Sequence, residues 1–309
     1  MIRLRFACMA LLIAIFSQAQ INTNTVITIG RNALYYEDYA LSIQYFNQAI
    51  AAKPYMHEPY FYRAIAKYYL GDYYGSITDC SASIERDPFI DECFKLRAVN
   101  YMMLSKFDSA ASDYKEIVRR DNKDQNSWYN LVLCQTKLKQ YNSADSLLDW
   151  MIHTWPSQPK SYLMKAQVLM EKGDTINAET YIDKTITLDS FNIDALSAKG
   201  YISLRNEHYS EAEKVYSKAI LQSPKRSDFY INRAYSRYKQ NNLQAAMTDY
   251  DIALDITPDN YQGHYNRGLL RMQVGENNLA IEDFNYVLNK KPSDRLALYN
   301  RAILHEIVG

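Results

Sequence analysis

Residues 227–260 read SDFYINRAYSRYKQNNLQAAMTDYDIALDITPDN and contain two helical patterns in succession. The first half places an apolar residue at every fourth position, at Tyr230, Ala234 and Tyr238. The apolar positions of the second half are Leu243, Ala246, Tyr250 and Ala253. Both spacings put the apolar residues on one face of a helix. Because Pro258 has no backbone N–H, it ends the second helix. The stretch therefore predicts a helix–turn–helix unit of 34 residues.

The same 34-residue pattern recurs eight times with no insertion or deletion. The copies begin at Thr23, His57, Asp91, Gln125, Pro159, Ile193, Ser227 and Tyr261. The residues equivalent to Ala234 are Gly30, Ala64, Ala98, Val132, Ala166, Gly200 and Gly268. The residues equivalent to Ala246 are Ser42, Ser76, Ala110, Ala144, Ala178, Ala212 and Ala280. Small residues at two facing positions let the two helix backbones of a unit approach closely.

This period and register of small and aromatic residues resemble the tetratricopeptide repeat (TPR) family from Thr23 onward. The resemblance implies an all-α solenoid over residues 20–309, a right-handed superhelix of eight helix–turn–helix repeats. It also implies that the first helix of each repeat lines a concave groove. Residues 295–308 match a ninth first helix, which is predicted to cap the last repeat.

The first 19 residues have the pattern of an export signal. Arg3 and Arg5 precede an apolar run over residues 6–16, and Ser17-Gln18-Ala19 is a small-x-small cleavage site. A run of 11 residues is too short to span a bilayer, which needs roughly 20. We therefore expect cleavage before Gln20, no membrane insertion afterwards, and a periplasmic or cell-envelope location. The 28 tyrosines also resemble those of envelope TPR proteins of the Bacteroidota.

The charge balance limits the class of partner. The chain has 35 basic and 35 acidic residues, and loss of Arg3 and Arg5 leaves 33 basic residues, a net charge of about −2. Such a chain offers no basic surface for nucleic acid or an anionic membrane. After cleavage only Cys80, Cys93 and Cys134 remain, too few for a disulfide framework, although a Cys80–Cys93 bridge stays open.

Arginine and aspartate occur together in the same four repeats. The residues equivalent to Arg233 are Ile29, Arg63, Arg97, Leu131, Lys165, Lys199 and Arg267. The residues equivalent to Asp249, sixteen positions later, are Tyr45, Asp79, Asp113, Leu147, Tyr181, Val215 and Asp283. We predict a structural ion pair within each of the four repeats, because an arginine in a helix-facing position needs a carboxylate opposite it. Pairing with the next repeat would leave Asp113 facing Leu131, and recent duplication is the alternative explanation without contact.

Large side chains occupy the positions that line the groove in this family. The predicted groove residues are Phe61, Tyr68, Tyr69, Met102, Tyr129, Tyr201, Tyr235, Tyr238, Tyr265 and Met272. Aromatic and methionine side chains suit an extended peptide or a partner helix, and the alternative is packing between neighbouring first helices. One class of the family binds acidic C-termini with a lysine at the position of Ile231. Here only Lys95 occupies that position, opposite Val99, so this specificity is not expected.

No catalytic, metal or cofactor residues are predicted. The five histidines fall at unrelated repeat positions, and the chain lacks HExxH, CxxC, GxSxG and glycine-rich phosphate motifs. We expect a non-enzymatic scaffold that binds protein or extended peptide in its groove, such as an accessory of an envelope assembly or secretion system. A structural subunit that assembles through its ends or convex face, and a glycan-binding groove, stay open as alternatives. The oligomeric state is open as well.

Overall fold

The computed structural model describes residues 22–309, so the export-signal residues 1–19 lie outside the described residues. Residues 22–309 form seventeen α-helices and no strand. The helices are α1 Thr23–Tyr35, α2 Tyr39–Ala52, α3 Glu58–Tyr69, α4 Tyr73–Arg86, α5 Asp91–Met103, α6 Phe107–Arg120, α7 Gln125–Lys137, α8 Tyr141–Thr154, α9 Pro159–Glu171, α10 Thr175–Leu188, α11 Ile193–Arg205, α12 Tyr209–Gln222, α13 Ser227–Lys239, α14 Leu243–Ile256, α15 Tyr261–Val274, α16 Asn277–Lys290 and α17 Arg295–Val308.

Odd-numbered helices up to α15 are the first helices of the eight repeats, and even-numbered helices are the second helices. Helix α17 has the place of a ninth first helix. Each first helix begins at the repeat start, except that α3 begins one residue later, at Glu58. Positions within a repeat are numbered 1 to 34 from that start, so Arg233 has position 7, Ala234 position 8 and Asp249 position 23.

Small residues at positions 8 and 20 let the two helices of a repeat pack closely. In the seventh repeat Ala234 and Ala246 are buried beside the ring of Tyr250. In the sixth repeat the approach is tighter, since a Cβ atom on Gly200 would lie 2.6 Å from Cζ of Tyr216. Burial of one large apolar side chain stabilises the fold by about 1.5–3 kcal/mol, and the small residues leave room for Tyr216 and Tyr250 at position 24 to be buried in this way.

A left-handed residue at position 15 makes every turn between the two helices of a repeat. The eight residues have φ between 56° and 84°: Glu37, Gly71, Ser105, Lys139, Gly173, Glu207, Asn241 and Gly275. A residue in this conformation commonly ends a helix. The following residue is the N-cap of the second helix: the carboxylate of Asp38, for example, accepts a hydrogen bond from the backbone N–H of Leu41 at 3.0 Å.

The helices form two compact units, one ending at Ala144 and the other beginning at Asp145, within α8. In the first unit, Ile27, Phe46 and Ala49 form a buried cluster at α1 and α2. The second unit contains separate clusters along its helices. The largest includes Tyr216 and Phe229.

No helix among residues 22–309 is both long and apolar enough to cross a membrane.

The three described cysteines are buried free thiols. The Cys80–Cys93 bridge that the sequence left open is therefore not formed in this structure. The Sγ atom of Cys93 donates to Oγ of Ser83 at 3.2 Å. Burial raises the pKa of Cys93 and of Cys134 to about 11, and it raises the pKa of Cys80 as well.

Candidate functional site

The four arginines and aspartates predicted as pairs lie in contact between the two helices of their repeat. In the seventh repeat Nε of Arg233 donates to Oδ2 of Asp249 at 2.9 Å, and Nη2 donates to Oδ1 at 2.7 Å. The corresponding distances are 2.8 and 2.6 Å for Arg63–Asp79, 2.9 and 2.7 Å for Arg97–Asp113, and 3.0 and 2.8 Å for Arg267–Asp283. The aspartate side chains are only 1–7 % exposed. Each pair is therefore a bidentate contact in the interior of a repeat.

A second cation meets three of these aspartates from position 11, one helical turn after the arginine. Its nitrogen lies 2.8 Å from the carboxylate in each case: Lys67 with Asp79, Arg237 with Asp249, and Arg271 with Asp283. The third repeat has Tyr101 at this position instead. A buried carboxylate with two cations has most of its acceptor capacity used.

Each arginine also reaches back to the second helix of the preceding repeat. Its Nη1 donates to the side chain sixteen residues earlier. The distances are 2.5 Å for Arg63 to Asn47, 3.0 Å for Arg97 to Ser81, 3.2 Å for Arg233 to Ser217 and 2.8 Å for Arg267 to Asp251. The alternative that the sequence considered, a pair between each position-23 aspartate and the arginine of the next repeat, is a different contact, because these acceptors have position 25. The planar guanidinium reaches both second helices because its five N–H groups point in different directions.

Two lysines at position 7 pair in the backward direction, a contact that the sequence interpretation missed. Nζ of Lys165 contacts Asp149, sixteen residues earlier, and lies 3.0 Å from Asp145. Nζ of Lys199 lies 2.8 Å from Glu179 and 2.9 Å from Asp183. In these repeats position 23 is Tyr181 or Val215, so neither lysine has the carboxylate that pairs with the arginines. Lys199 also has one acidic neighbour in its own repeat, since its Nζ lies 3.3 Å from Glu211 of α12. The acidic residues sixteen and twenty positions before each lysine are the sequence pattern from which these contacts could have been predicted.

The environment of these lysines favours their charged form. Burial lowers the pKa of Lys199, but hydrogen bonds to Glu179 and Asp183 raise it by more, and the net pKa is raised. The pKa of Lys165 is raised as well: burial lowers it, and the carboxylates of Asp149 and Asp145 more than compensate. In the six repeats with a charged residue at position 7, that residue therefore forms structural ion pairs. Among residues 22–309 no group of three or more His, Cys, Asp or Glu side chains is arranged to hold a metal ion.

The predicted groove residues do not form one exposed surface. Tyr69 and Tyr201 are exposed, 60 % and 51 %, whereas Tyr129 is buried. The other seven are half-buried: Phe61, Tyr68, Met102, Tyr235, Tyr238, Tyr265 and Met272. Tyr238 packs on the cluster that contains Tyr250. Tyr265 and Met272 pack on the cluster that contains Phe284. Tyr238, Tyr265 and Met272 therefore contribute to packing between helices, and their role in binding stays a prediction.

The first unit instead exposes apolar side chains where its first helices end and turn. We call this surface the apolar edge. It consists of Tyr35, Tyr36, Tyr69, Leu70, Tyr74 and Met103, which are 53–81 % exposed. Position 13 supplies Tyr35, Tyr69 and Met103 from three successive repeats. In the second unit the same position holds Glu171, Arg205, Lys239 and Gln273. Only Tyr69 of this edge was among the predicted groove residues.

Ring contacts hold several tyrosines of the apolar edge in place. Tyr69 stacks on Tyr39 with ring centroids 5.1 Å apart and an interplanar angle of 10°, and it meets Tyr68 edge-on at 5.4 Å. Tyr35 and Tyr36 make an edge contact at 5.2 Å. Rings that are already fixed lose little conformational entropy when a ligand covers them.

A pocket of about 590 Å³ adjoins the apolar edge between α1 and α3. Leu34, Tyr35, Ile65 and Tyr69 form apolar walls. Arg31 adds a positive charge to the wall. Its guanidinium carbon lies 5.0 Å from the ring centroid of Tyr62, and its Nη1 lies 3.8 Å from Glu58.

The second unit has a smaller pocket of about 420 Å³ at the ends of α9 and α11. Met170, Ile176 and Tyr201 line it together with Arg205. Both pockets thus use residues at positions 9 and 13 of first helices, with an arginine beside apolar side chains.

Comparisons with known proteins identify the repeat. A tetratricopeptide repeat profile matches residues 159–192, and a TPR repeat profile matches residues 234–275. A solved tetratricopeptide repeat protein from Parabacteroides merdae is 15 % identical, with a TM-score of 0.54 over 81 % of this chain and 98 % of that chain. The C-terminal part of a TPR repeat-containing protein from Cytophaga hutchinsonii is 16 % identical, with a TM-score of 0.51 over 89 % and 98 %. The chain is a tetratricopeptide repeat protein with an all-α solenoid fold.

Two further matches are to members of protein assemblies. The APC/C hetero-tetramer Cut9–Hcn1 has a chain that is 14 % identical, with a TM-score of 0.54 over 86 % of this chain and 52 % of that chain. The BBSome complex member BBS4 of Bos taurus is 22 % identical over 148 residues, 48 % of this chain. The match spans 28 % of that relative's length. At these identities the likeness to solved structures is one of fold. Proteins of this repeat family are typically non-enzymatic scaffolds for protein–protein interaction.

Proposed function

We propose that this protein is an interaction scaffold whose first unit binds an extended peptide, or the apolar side of a partner helix, along the apolar edge. The observation that carries this proposal is the continuity of exposed apolar residues at position 13 through three repeats. Exposed apolar patches of this kind in soluble proteins are typical of interaction sites. The second unit, with charged and polar residues at position 13, lacks this continuity.

The chemistry of the surface favours a ligand that combines apolar and acidic groups. Tyr35 and Tyr69 offer large rigid faces, and such residues often dominate binding free energy. The pocket beside them accommodates a bulky side chain, and Arg31 lies where it can meet a carboxylate. A peptide with aromatic or aliphatic side chains and an acidic residue nearby would match both features.

Peptide selection on the purified protein tests this proposal. Peptides enriched from a random display library are synthesised with a fluorescent label, and their Kd is measured by anisotropy. Tyr35→Ala and Tyr69→Ala should each weaken binding by about tenfold or more, because each removes a ring at the centre of the surface. Tyr55→Ala is the matched control, since Tyr55 is 72 % exposed but lies in a turn between repeats.

The outcomes separate the alternatives. Selected peptides that bind the Tyr35 and Tyr69 variants as tightly as the original protein would show that the apolar edge is not the site. A second outcome is that no peptide is enriched but immobilised glycans retain the protein. If Tyr69→Ala then abolishes this retention, the result supports the glycan-binding alternative. Sedimentation measures the oligomeric state, and a monomer argues against a structural subunit that assembles with itself.

We further propose export to the periplasm or cell envelope, supported by Arg3, Arg5, the apolar run and the small-x-small site that follows it. An accessory role in an envelope assembly or secretion system fits a peptide-binding scaffold in that compartment. N-terminal sequencing of protein recovered from cell-envelope fractions should begin at Gln20. Recovery of the intact chain in the cytoplasmic fraction would overturn this part of the proposal.

A further inference from the structure

Helix α17 packs through one face only. Its inner residues Ala297 and Leu304 are fully buried in a cluster with Phe284 and Val287 of α16. Helix α16 and, to a smaller extent, α15 are the described helices that contact it. The inner face of α17 thus packs as the first helix of a repeat packs on the repeat before it.

The residues that a first helix presents to its own second helix are exposed on α17. Position 8 is buried in all eight repeats, yet Ala302 at position 8 of α17 is exposed. Leu298 at position 4 is 39 % exposed, whereas Tyr230 at the same position is 9 % exposed. A helix surface with this composition matches the one that α14 or α16 covers in the seventh and eighth repeats.

Arg301 has half of the contacts made by the arginines at position 7. Its Nη1 donates to Oδ1 of Asn285 at 2.8 Å, sixteen residues earlier, as in the other repeats. In the four repeats with arginine, Nε and Nη2 hold the aspartate of the second helix. For Arg301 these two nitrogens donate to no other side chain or carbonyl among residues 22–309. His305 follows at position 11, where Arg237 and Arg271 supply the second cation.

We propose that this face of α17 is a docking site for a helix of a partner protein that resembles the second helix of a repeat. The partner helix carries a small residue, an aspartate three positions later and an aromatic residue next to it, as in Ala280, Asp283 and Phe284. Its small residue packs on Ala302, and its carboxylate accepts from Nε and Nη2 of Arg301. The site differs in place and chemistry from the apolar edge and does not depend on the function proposed for that edge.

A second folded copy of this chain is a poor occupant. The chain has four second helices with the required aspartate, at Asp79, Asp113, Asp249 and Asp283. In each the carboxylate is buried and already holds the arginine of its own repeat. A folded copy therefore presents no such helix on its surface, and a partner with a free amphipathic helix satisfies Arg301 better.

A peptide with the sequence of α16, residues 277–290, is the probe. It is stapled across its solvent side to hold it helical, labelled, and titrated with the purified protein while anisotropy is recorded. We expect saturable binding that Arg301→Ala weakens by about tenfold or more. Replacement of the peptide aspartate by asparagine should weaken binding similarly, and the two changes together should add little beyond either one. Arg295→Ala is the matched control on the same helix and should bind like the original protein.

Ala302→Glu is a second variant that blocks the face by bulk and charge without disturbing buried residues. It should abolish binding, and unchanged urea midpoints should show that both variants fold. Binding that is indifferent to Arg301→Ala or to the peptide aspartate, or an absence of saturable binding, would overturn the proposal. Sedimentation that shows a dimer lost in Ala302→Glu would identify a second copy as the occupant and overturn it as well.

Discussion

Asp249 is one of the most buried charged groups of the protein, and two arginines neutralise it. Arg233 binds it in a bidentate contact and Arg237 donates to it at 2.8 Å. Asp249→Ala leaves two cations in a partly buried space, and we expect a loss of about 3–5 kcal/mol in the free energy of unfolding. Arg233→Ala should be milder, because Arg237 still balances the carboxylate. Urea unfolding followed by circular dichroism measures both, with Asp255→Ala, an exposed residue of α14, as the control.

The double variant decides whether contact or shared ancestry explains the four arginine–aspartate repeats. Removing Arg233 together with Asp249 should destabilise the protein less than removing Asp249 alone, because one of the two unpaired cations goes with it. Strictly additive effects of the two substitutions would show that the pair contributes nothing as a pair.

The buried thiols should resist chemical modification. Burial raises the pKa of Cys93 and Cys134 from 9.0 to about 11, so the reactive thiolate is scarce at pH 8.5 in the folded protein. We expect iodoacetamide at this pH to leave both residues unlabelled in mass spectra until urea unfolds the chain. Because the folded state holds these protons more tightly, their contribution to stability is complete below pH 9 and declines between pH 9 and about 11. Rapid labelling at pH 8.5 without denaturant would contradict this.

At the scale of the helix, the turns store strain that glycine would relieve. Glu207 has φ of 61° at position 15, where Gly275 has φ of 84°. A left-handed conformation costs a residue other than glycine about 1–2 kcal/mol, and the greater freedom of glycine in the unfolded chain offsets part of this. Glu207→Gly should therefore stabilise the protein by about 0.5–1 kcal/mol in urea unfolding. Lys184→Gly, in the exposed middle of α10, should destabilise it by about 1 kcal/mol. If both substitutions lowered the free energy of unfolding by the same amount, the turn would not be strained.

The all-α solenoid fold could be predicted from the sequence, because positions 8 and 20 repeat their small residues in unbroken register, with Val132 as the one larger residue. The site was harder to predict. Position 5 buries Tyr129 and position 9 exposes Tyr201, although both side chains match the same general rule for the groove. The rule treated the two positions alike, but position 5 is buried in four of the eight repeats, whereas position 9 is buried in none of them. The apolar edge was missed because its residues lie at helix ends and turns.

The lysine contacts escaped prediction for a related reason. Lys165 and Lys199 have no acid sixteen residues later, so a search within each repeat found no partner. Their partners Asp149 and Asp183 lie one repeat earlier. The long, flexible lysine side chain can place its ammonium group beside either helix. The planar guanidinium of arginine donates to acceptors on both helices at once.

At the scale of the whole molecule, a substitution in one repeat should destabilise that repeat and its neighbours more than distant repeats. Stability in such arrays is close to a sum of repeat terms and nearest-neighbour terms. Asp79→Ala should therefore speed amide hydrogen exchange in α3, α4 and α5 while exchange in α13 to α16 stays unchanged. Hydrogen exchange with mass spectrometry resolves these segments. A uniform increase along residues 22–309 would show that the chain unfolds as one cooperative body.

The backward reach of each position-7 arginine also bears on how such a gene changes length. If residues 227–260 were excised, Arg267 would meet Ser217, the residue that Arg233 meets now. Serine, asparagine and aspartate all accept this donor in the present molecule. Unequal recombination can therefore add or remove a 34-codon segment and still leave a matching acceptor at the new junction. The number of repeats can therefore change in one step while the arginine contact across the new junction is kept.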